Sequence, residues 1–347
     1  MKTINVGLAS YGMSGEIFHA PLLHVHKGFN IVKILERTKN KSRDRYPDTN
    51  IVRSYGEITD DKDIDLIVIN TPDKEHYQMA LQAIEAGKHV VVEKPFTLNV
   101  QEADELIAAS AKTGKLLSVF QNRRWDGDFL TVQKIISEGL LGRLVEYEAH
   151  FDRFRNYIRH ESWKEHAASN TGTIYNLGSH LIDQALVLFG LPESVFSDIR
   201  MLRTGTEVDD SFTLLLLYPE VKVTLKASYL VREPGPRYYL YGTHGSFLKW
   251  GIDPQEDELK SGKWSSEPDW GKENEENWGI LNTEINELHY NGMIETLPGN
   301  YMAYYDDIYV AIINNRKPAV TAEQGRDVIR VIEAAKESSK TGKAIKF

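Results

Sequence analysis

Five short apolar runs, at residues 4–9, 31–35, 66–69, 89–92 and 116–120, punctuate the first third of the chain. Each is nearly continuous rather than alternating, as expected of strands buried on both faces of a sheet. Between the last three, Tyr77, Ala80, Leu81 and Ile84 recur at i, i+3, i+4 and i+7, and Ala103, Leu106, Ile107 and Ser110 repeat that spacing. Both segments are therefore predicted to be helices with one apolar stripe. Strand–helix alternation of this kind specifies a doubly wound parallel sheet, here over residues 1–122.

Beyond about residue 142 the period changes to two. Val145, Tyr147, Ala149 and Phe151 alternate with Leu144, Glu146, Glu148 and His150, and Val223, Leu225, Ala227, Tyr229 and Val231 alternate with Lys222, Thr224, Lys226 and Ser228. Residues 123–347 are thus predicted to form an α+β domain on a mostly antiparallel, open sheet. Residues 253–300 keep no period across their acidic, polar length. Trp264, Trp270 and Trp278 argue against full disorder there, and we expect a long irregular excursion. Two helices close the chain, one over 301–315 and one opening at Thr321, with Gln324 completing a capping box after Pro318. Residues 301–347 are expected to pack partly back on the first domain.

The length of 347 residues suits two domains, and 41% hydrophobic with 26% charged residues is a globular balance. No apolar run approaches the ~18 residues of a membrane span, and the start MKTINVGLAS lacks the basic end and apolar core of a signal peptide. The expected setting is cytoplasmic, without a membrane partner. The absence of cysteine excludes disulfides, thiolate metal sites and a cysteine nucleophile. His24, His26, His160 and His166 fall at no recognised metal spacing, so no metal is expected. A formal charge of −9 argues against nucleic acid as a partner and leaves a small molecule.

Four stretches carry candidate chemistry. In GLASYGMSG, Ser10-Tyr11-Gly12-Met13-Ser14-Gly15 has the spacing of G-x-G-x-x-G with serine at the first position. A strand precedes it, a helical pattern follows, and Glu36 ends the next strand, the context of a Rossmann nucleotide site. Gly12 would let the backbone approach a pyrophosphate and Gly15 would let the helix pack close to the sheet. The alternative is a βα turn that happens to be rich in glycine. In VVVEKPF, Lys94 stands at the carboxyl end of a strand, where it suits a substrate hydroxyl beside a nicotinamide or, alternatively, is a solvated lysine. In GTIYNLGSHLIDQ, read as a helix, Asn176, His180 and Asp183 share one face, opposite Leu177, Leu181, Ala185 and Leu188. His180 suits a general base, or is a histidine satisfied at a domain boundary. QNRRWD brings Gln121, Asn122, Arg123 and Arg124 off the last strand, as binders of a polyol, carboxylate or phosphate, or as a salt-bridged hinge.

Taken together, the Rossmann start, EKP, NRRWD and G-x-x-x-N-x-G-x-H resemble the Gfo/Idh/MocA oxidoreductases over essentially the whole chain. GMSGEIFHAPLL, YNLGSHLIDQAL and YGTHGSFLKWGIDPQED look most like a branch of NADP-dependent inositol dehydrogenases. The resemblance implies hydride transfer between a secondary alcohol of a sugar, inositol or other polyol and NAD or NADP, with Lys94 on the reacting hydroxyl and His180 as proton acceptor. It implies a cofactor set of Ser10, Gly12, Met13, Ser14, Gly15, Glu36, Arg37, Thr38, Thr71, Pro72, His76, Glu93 and Lys94. Substrate binding falls to Gln121, Asn122, Arg123, Arg124, Asn176 and His180. Family members commonly carry aspartate where this chain has Asn176, which keeps a carbonyl but no charge. Glu36 favours NAD by charge, whereas Arg37, Thr38, Lys39 and the branch favour NADP. A non-catalytic nucleotide-binding regulator, or a glycosidase or epimerase using the nucleotide transiently, stands as the rival reading. The family also implies a homodimer or larger homo-oligomer through the C-terminal sheet.

Overall fold

The computed structural model describes residues 2–159, 161–166 and 172–347. His160 lies outside the described residues. The chain divides into two units, one of Met1–Trp125, Pro254–Gly271 and Asn300–Arg326, the other of Asp126–Asp253, Lys272–Gly299 and Asp327–Phe347. The division differs from a single crossing at 122–123, because the segment 254–271 folds with the first unit and the C-terminal region is split between the two.

The first unit is built on six parallel strands: β1 (Ile4–Leu8), β2 (Phe29–Leu35), β3 (Asn50–Val52), β4 (Leu66–Ile69), β5 (His89–Val92) and β6 (Leu117–Val119). Their order is β3-β2-β1-β4-β5-β6, a doubly wound sheet. The direction of winding reverses between β1 and β4, so the loops leaving those two strands flank the crevice where such sheets bind ligands. β3 is absent from the hydrophobic pattern because it has three residues, of which only Val52 is buried. The predicted helices are His76–Glu85 and Val100–Thr113; Asn99 caps the second by accepting the Glu102 N–H at 2.9 Å. In the predicted capping box, Thr321 N–H donates to Gln324 Oε1 (3.1 Å) and Gln324 N–H to Thr321 Oγ1 (3.3 Å). The Met302–Ile313 helix buries Tyr304 and Tyr305 against Phe120, with ring centroids 4.9 and 5.9 Å away.

Among the described residues the second unit holds nine strands: β7 (Leu144–His150), β8 (Ser194–Arg200), β9 (Ser211–Leu217), β10 (Lys222–Ser228), β11 (Tyr238–Gly242), β12 (Gly245–Lys249), β13 (Gly279–Ile285), β14 (Leu288–Ile294) and β15 (Ile345–Lys346). Their order is β14-β13-β12-β11-β7-β10-β9-β8-β15, in which β7 and β10 pair in parallel. Alternation sends Tyr147, Ala149, Leu214, Leu225, Tyr238 and Phe247 to a buried face. The Gly127–Ser137 and Ser179–Phe189 helices belong to this unit, and Tyr238 Oη donates to Gln184 Oε1 at 2.9 Å across that face. The opposite face leaves Phe196, Leu217, Tyr241, Ile280 and Met293 between 38% and 44% exposed.

The excursion expected over 253–300 is in fact structured. It opens with a short helix, Gln255–Lys260, and ends in the β13–β14 hairpin, whose turn residues Asn286 and Glu287 have φ of 51° and 67°, the signature of a type I′ turn. β13 does alternate, but β14 is exposed almost throughout, so the pattern is too dilute to read. Trp264 lies under the Arg45 guanidinium at 4.0 Å and beside His24 at 5.2 Å, while Trp270 Nε1–H donates to Gln255 Oε1 at 3.1 Å. The Trp264 contacts tie 254–271 to the rest of the first unit. No helix among the described residues is long and apolar enough to cross a membrane.

Candidate active site

The turn after β1 explains its serine. Ser10 Oγ accepts the Gly12 N–H at 3.0 Å, closing a local side-chain turn that a first glycine would leave to backbone alone. Gly15 is required by packing: a Cβ there would lie 2.5 Å from both Asn70 Nδ2 and the Ser10 carbonyl. Asn70, at the end of β4, donates to that carbonyl at 2.9 Å and so fixes the turn against the neighbouring strand. Gly12 has no such internal reason, since a Cβ there would meet only Ser10 Oγ at 3.4 Å. Its bareness leaves room for a ligand close to the backbone. Helical structure begins at Met13, an exposed residue, and the Glu16 N–H closes its first turn on the Gly12 carbonyl at 2.9 Å.

Two further strand ends support a nucleotide there. Thr71 Oγ1 and Asn70 Oδ1 after β4, and Gln121 Oε1 after β6, are buried polar atoms with no partner among the described residues, the local sign of a missing polar group. The residues present therefore fit a dinucleotide. Pro72 is half-buried beside Thr71. His76 is fully buried with one ring nitrogen 2.8 Å from the Pro95 carbonyl and the other 3.0 Å from the Thr71 carbonyl. It is a strut joining two loops, which shapes the cradle from within.

Glu36 does not point where its position in the sequence suggests. Its carboxylate is buried and accepts from Lys41 N–H (2.8 Å), Ser42 N–H (2.9 Å) and Ser42 Oγ–H (2.6 Å). Burial opposes ionisation, but the hydrogen bonds from Ser42 and Lys41 and the nearby Arg53 charge outweigh it and lower the pKa. Arg53 braces the same loop through the Glu36 and Lys39 carbonyls and Asn40 Oδ1. Arg37, Thr38 and Lys39 stay exposed on the outside of that loop.

At the end of β5, Lys94 is half-buried and Glu93 is buried. Glu93 accepts from the Lys94 N–H (2.9 Å), from Ser14 Oγ and from His19 Nε2 (3.1 Å). Burial alone would raise its carboxyl; the His19 hydrogen bond and charge, then the Lys94 charge and the Ser14 hydroxyl, bring it down to about 2. Ser14 thus spends its hydroxyl on Glu93. His19 and Tyr305 are functional candidates that motif reading misses, because neither lies in a recognised spacing.

The two arginines of NRRWD are internal links. Arg123 is buried and pairs with Glu256 at 2.6 Å, and Arg124 donates to Gln324 Oε1 (3.0 Å) and the Ala319 carbonyl (3.2 Å). They join the segments at 254–271 and 300–326 to the sheet of the first unit, the salt-bridged role that the sequence left open beside substrate binding. Gln121 and Asn122 are buried at the same strand end.

In the second unit the run carrying His180 begins as a π-helical turn, Ile174–Gly178, before the α-helix Ser179–Phe189. The wider turn changes the phase between Asn176 and His180 that an ideal helix predicts, and such insertions recur at functional sites. His180, Asp183 and Gln184 are all buried, so the polar line is not a solvated face. Asp209 anchors the start of the run: its carbonyl accepts the Thr173 N–H (2.8 Å) and its carboxylate the Ile174 N–H (2.8 Å). Burial pushes the Asp209 carboxyl up to about 6, and those N–H groups and Lys336 offset only part of it. Asn176 Oδ1 accepts from Lys164 Nζ at 3.3 Å, which makes the amide nitrogen the donor end of that side chain. Lys164 is a third residue that sequence reading misses. No metal cluster occurs among the described residues; His26 pairs with Asp306 at 3.3 Å and His166 with Glu207 at 3.8 Å.

Residues 4–121 match the oxidoreductase family NAD-binding Rossmann fold, and residues 133–347 match the C-terminal alpha/beta domain of the same family. The chain belongs to the Gfo/Idh/MocA oxidoreductases. It is 42% identical over 346 residues to scyllo-inositol 2-dehydrogenase (NADP(+)) of Bacillus subtilis, covering 99% of this chain and 96% of that protein. A crystal structure from Bacteroides fragilis, described as a candidate oxidoreductase, superposes with a TM-score of 0.93 at 49% identity over all of both chains. Levoglucosan dehydrogenase in complex with NADH and levoglucosan shares the family fold at 18% identity, with a TM-score of 0.82 over 99% of each chain.

Proposed function

We propose that this oxidoreductase is an NADP-dependent dehydrogenase acting on a secondary alcohol of an inositol, sugar or related polyol. The observation that carries the reading is that one chain keeps both Lys94, at the strand end beside the nucleotide turn, and His180, on a helix anchored by Asp209. A regulator on the same fold has no use for that pair. A bound nicotinamide supplies the acceptor for the hydride of the carbinol carbon. Lys94 brings a compact positive charge to the reacting hydroxyl, and His180 takes its proton. Asn176, with its carbonyl engaged by Lys164, donates its amide N–H to a substrate oxygen and orients it without carrying charge.

What supports NADP is the inward turn of Glu36. With its carboxylate fully engaged by residues 41 and 42, it neither reaches for a ribose 2′-hydroxyl nor opposes a 2′-phosphate at close range. Arg37, Thr38 and Lys39 remain outside as phosphate donors. The open face of the second sheet, with Phe196, Leu217, Tyr241, Ile280 and Met293, is proposed to pair with a second copy of the chain.

A panel of inositols, aldoses and linear polyols with each nucleotide, followed by the absorbance of the reduced nicotinamide, tests the reading. Turnover of at least one polyol with a kcat/KM at least tenfold higher for NADP is expected. Tight nucleotide binding with no turnover of any of them would favour the regulator.

A further inference from the structure

The mechanism above leaves a buried line of polar groups unexplained. His19 has no exposed surface, yet its Nε2 lies 3.1 Å from Glu93 Oε1 and its Nδ1 2.6 Å from Tyr305 Oη. Its ring is held by Phe120 at 4.3 Å between centroids and by the edge of Tyr305 at 6.2 Å. Four segments meet here: the helical run after the nucleotide turn, the ends of β5 and β6, and the Met302–Ile313 helix. A line of buried polar groups is costly to desolvate and is often no more stabilising than apolar side chains of the same volume. Its retention calls for a use.

The geometry identifies that use. Glu93 accepts from the Lys94 backbone N–H at 2.9 Å, and besides Lys94 the titratable groups near it are His19, which stands between it and Tyr305, and Tyr304. Neither tyrosine supplies a positive charge. We infer that His19 is a positioning residue for Lys94: its hydrogen bond holds the Glu93 carboxylate as the counter-charge of the Lys94 ammonium, and Tyr305 fixes the ring that does so. Deprived of that donor, the Glu93 carboxylate keeps only Ser14 and the Lys94 N–H, is held less firmly and protonates more readily. Lys94 then loses the anion beside it and releases its own proton more easily. The inference rests on the assignment of Lys94 to the reacting hydroxyl, but its test does not.

The test is trace acetylation of the whole protein with acetic anhydride across pH, read at Lys94 by peptide mass spectrometry, in wild type, His19→Gln, His19→Met and Glu93→Gln. Glutamine keeps a donor toward Glu93 and methionine does not. The expected result is a Lys94 midpoint lower by about one pH unit or more in both H19M and E93Q, and a clearly smaller fall in H19Q, which keeps the hydrogen bond but not the histidine charge. An unchanged midpoint in H19M, or a fall in H19Q equal to that in H19M, would overturn the proposal. So would an unchanged midpoint in E93Q, which removes the charge directly and keeps the test decisive if H19M does not fold. In turnover assays H19M should lower kcat more than tenfold while the fluorescence-titrated Kd for NADPH stays within threefold. A wild-type protein that oxidises no polyol would remove the dehydrogenase reading and leave the labelling result standing.

Discussion

Each unit of this oxidoreductase sets its candidate chemistry on a carboxyl group drawn away from water, Glu93 buried and Asp209 half-buried, and the two behave oppositely. Glu93 is drawn down to about 2 and stays ionised, because a histidine, a hydroxyl and a lysine charge face it. Asp209 rises to about 6, because burial is opposed mainly by backbone N–H groups. Burial alone therefore does not set the role of such a group; the partners do. In the first unit a charge is held in place beside Lys94. In the second a carboxyl raised to about 6 caps the helical run that presents Asn176 and His180.

The comparison breaks most visibly where chemistry is removed. Lys94→Met and His180→Gln should each lower kcat by about 10²–10⁴-fold, the range for loss of a positioned proton-transfer group, with melting temperatures close to wild type. A loss matched by a comparable fall in melting temperature would make these residues structural.

The next effect is on stability. The folded pKa of Asp209 lies above its unfolded value, so the stability it contributes is complete below about pH 4 and lost as pH rises through about 6. That loss is about 3 kcal/mol, and denaturant titrations of Asp209→Asn should be flatter than wild type across this interval. Glu93 has the reverse sign: its contribution is present above the ordinary carboxyl pKa and lost only as pH falls toward about 2. Parallel curves for wild type and D209N would remove the contrast between the two carboxyl groups.

Smaller effects sharpen the second unit. In Asn176→Asp a new carboxylate beside Lys164 and near His180 in sequence should raise the basicity of the histidine and move the acid limb of the kcat profile up by about one pH unit. Superimposable profiles would show that residue 176 has no electrostatic part in proton transfer. The smallest expected change is in the nucleotide turn, where Ser10→Ala forfeits one local hydrogen bond, about 0.5–1.5 kcal/mol of stability. Ser10→Gly, which restores the usual turn residue, should bind NADP within threefold of wild type.

Much of the first unit is legible in the sequence because a parallel sheet writes itself as uninterrupted apolar runs, and because Gly12, Gly15 and Lys94 stand at fixed offsets from their ends. β3 escapes for want of length. The inward turn of Glu36 escapes because it depends on N–H groups five and six residues downstream, which no spacing announces. The pairing of Arg123 with Glu256 escapes because its partner comes from a segment 133 residues later. In the second unit His180 and Asn176 are found by type and order, whereas the π-helical turn that sets their phase leaves no mark in the composition. His19 and Lys164 escape motif reading, since each acts only through a motif residue, Glu93 or Asn176, that lies 74 or 12 residues further along the chain.

The central claim is that Lys94 and His180 serve hydride transfer with NADP. Its most direct measurement is the kcat/KM of wild type for NADP and for NAD with the best polyol of the panel, repeated in Arg37→Ala. A preference for NADP of tenfold or more, falling toward unity in R37A through loss of the NADP rate alone, is the predicted result. A wild-type preference for NAD, or a preference indifferent to Arg37, would contradict it.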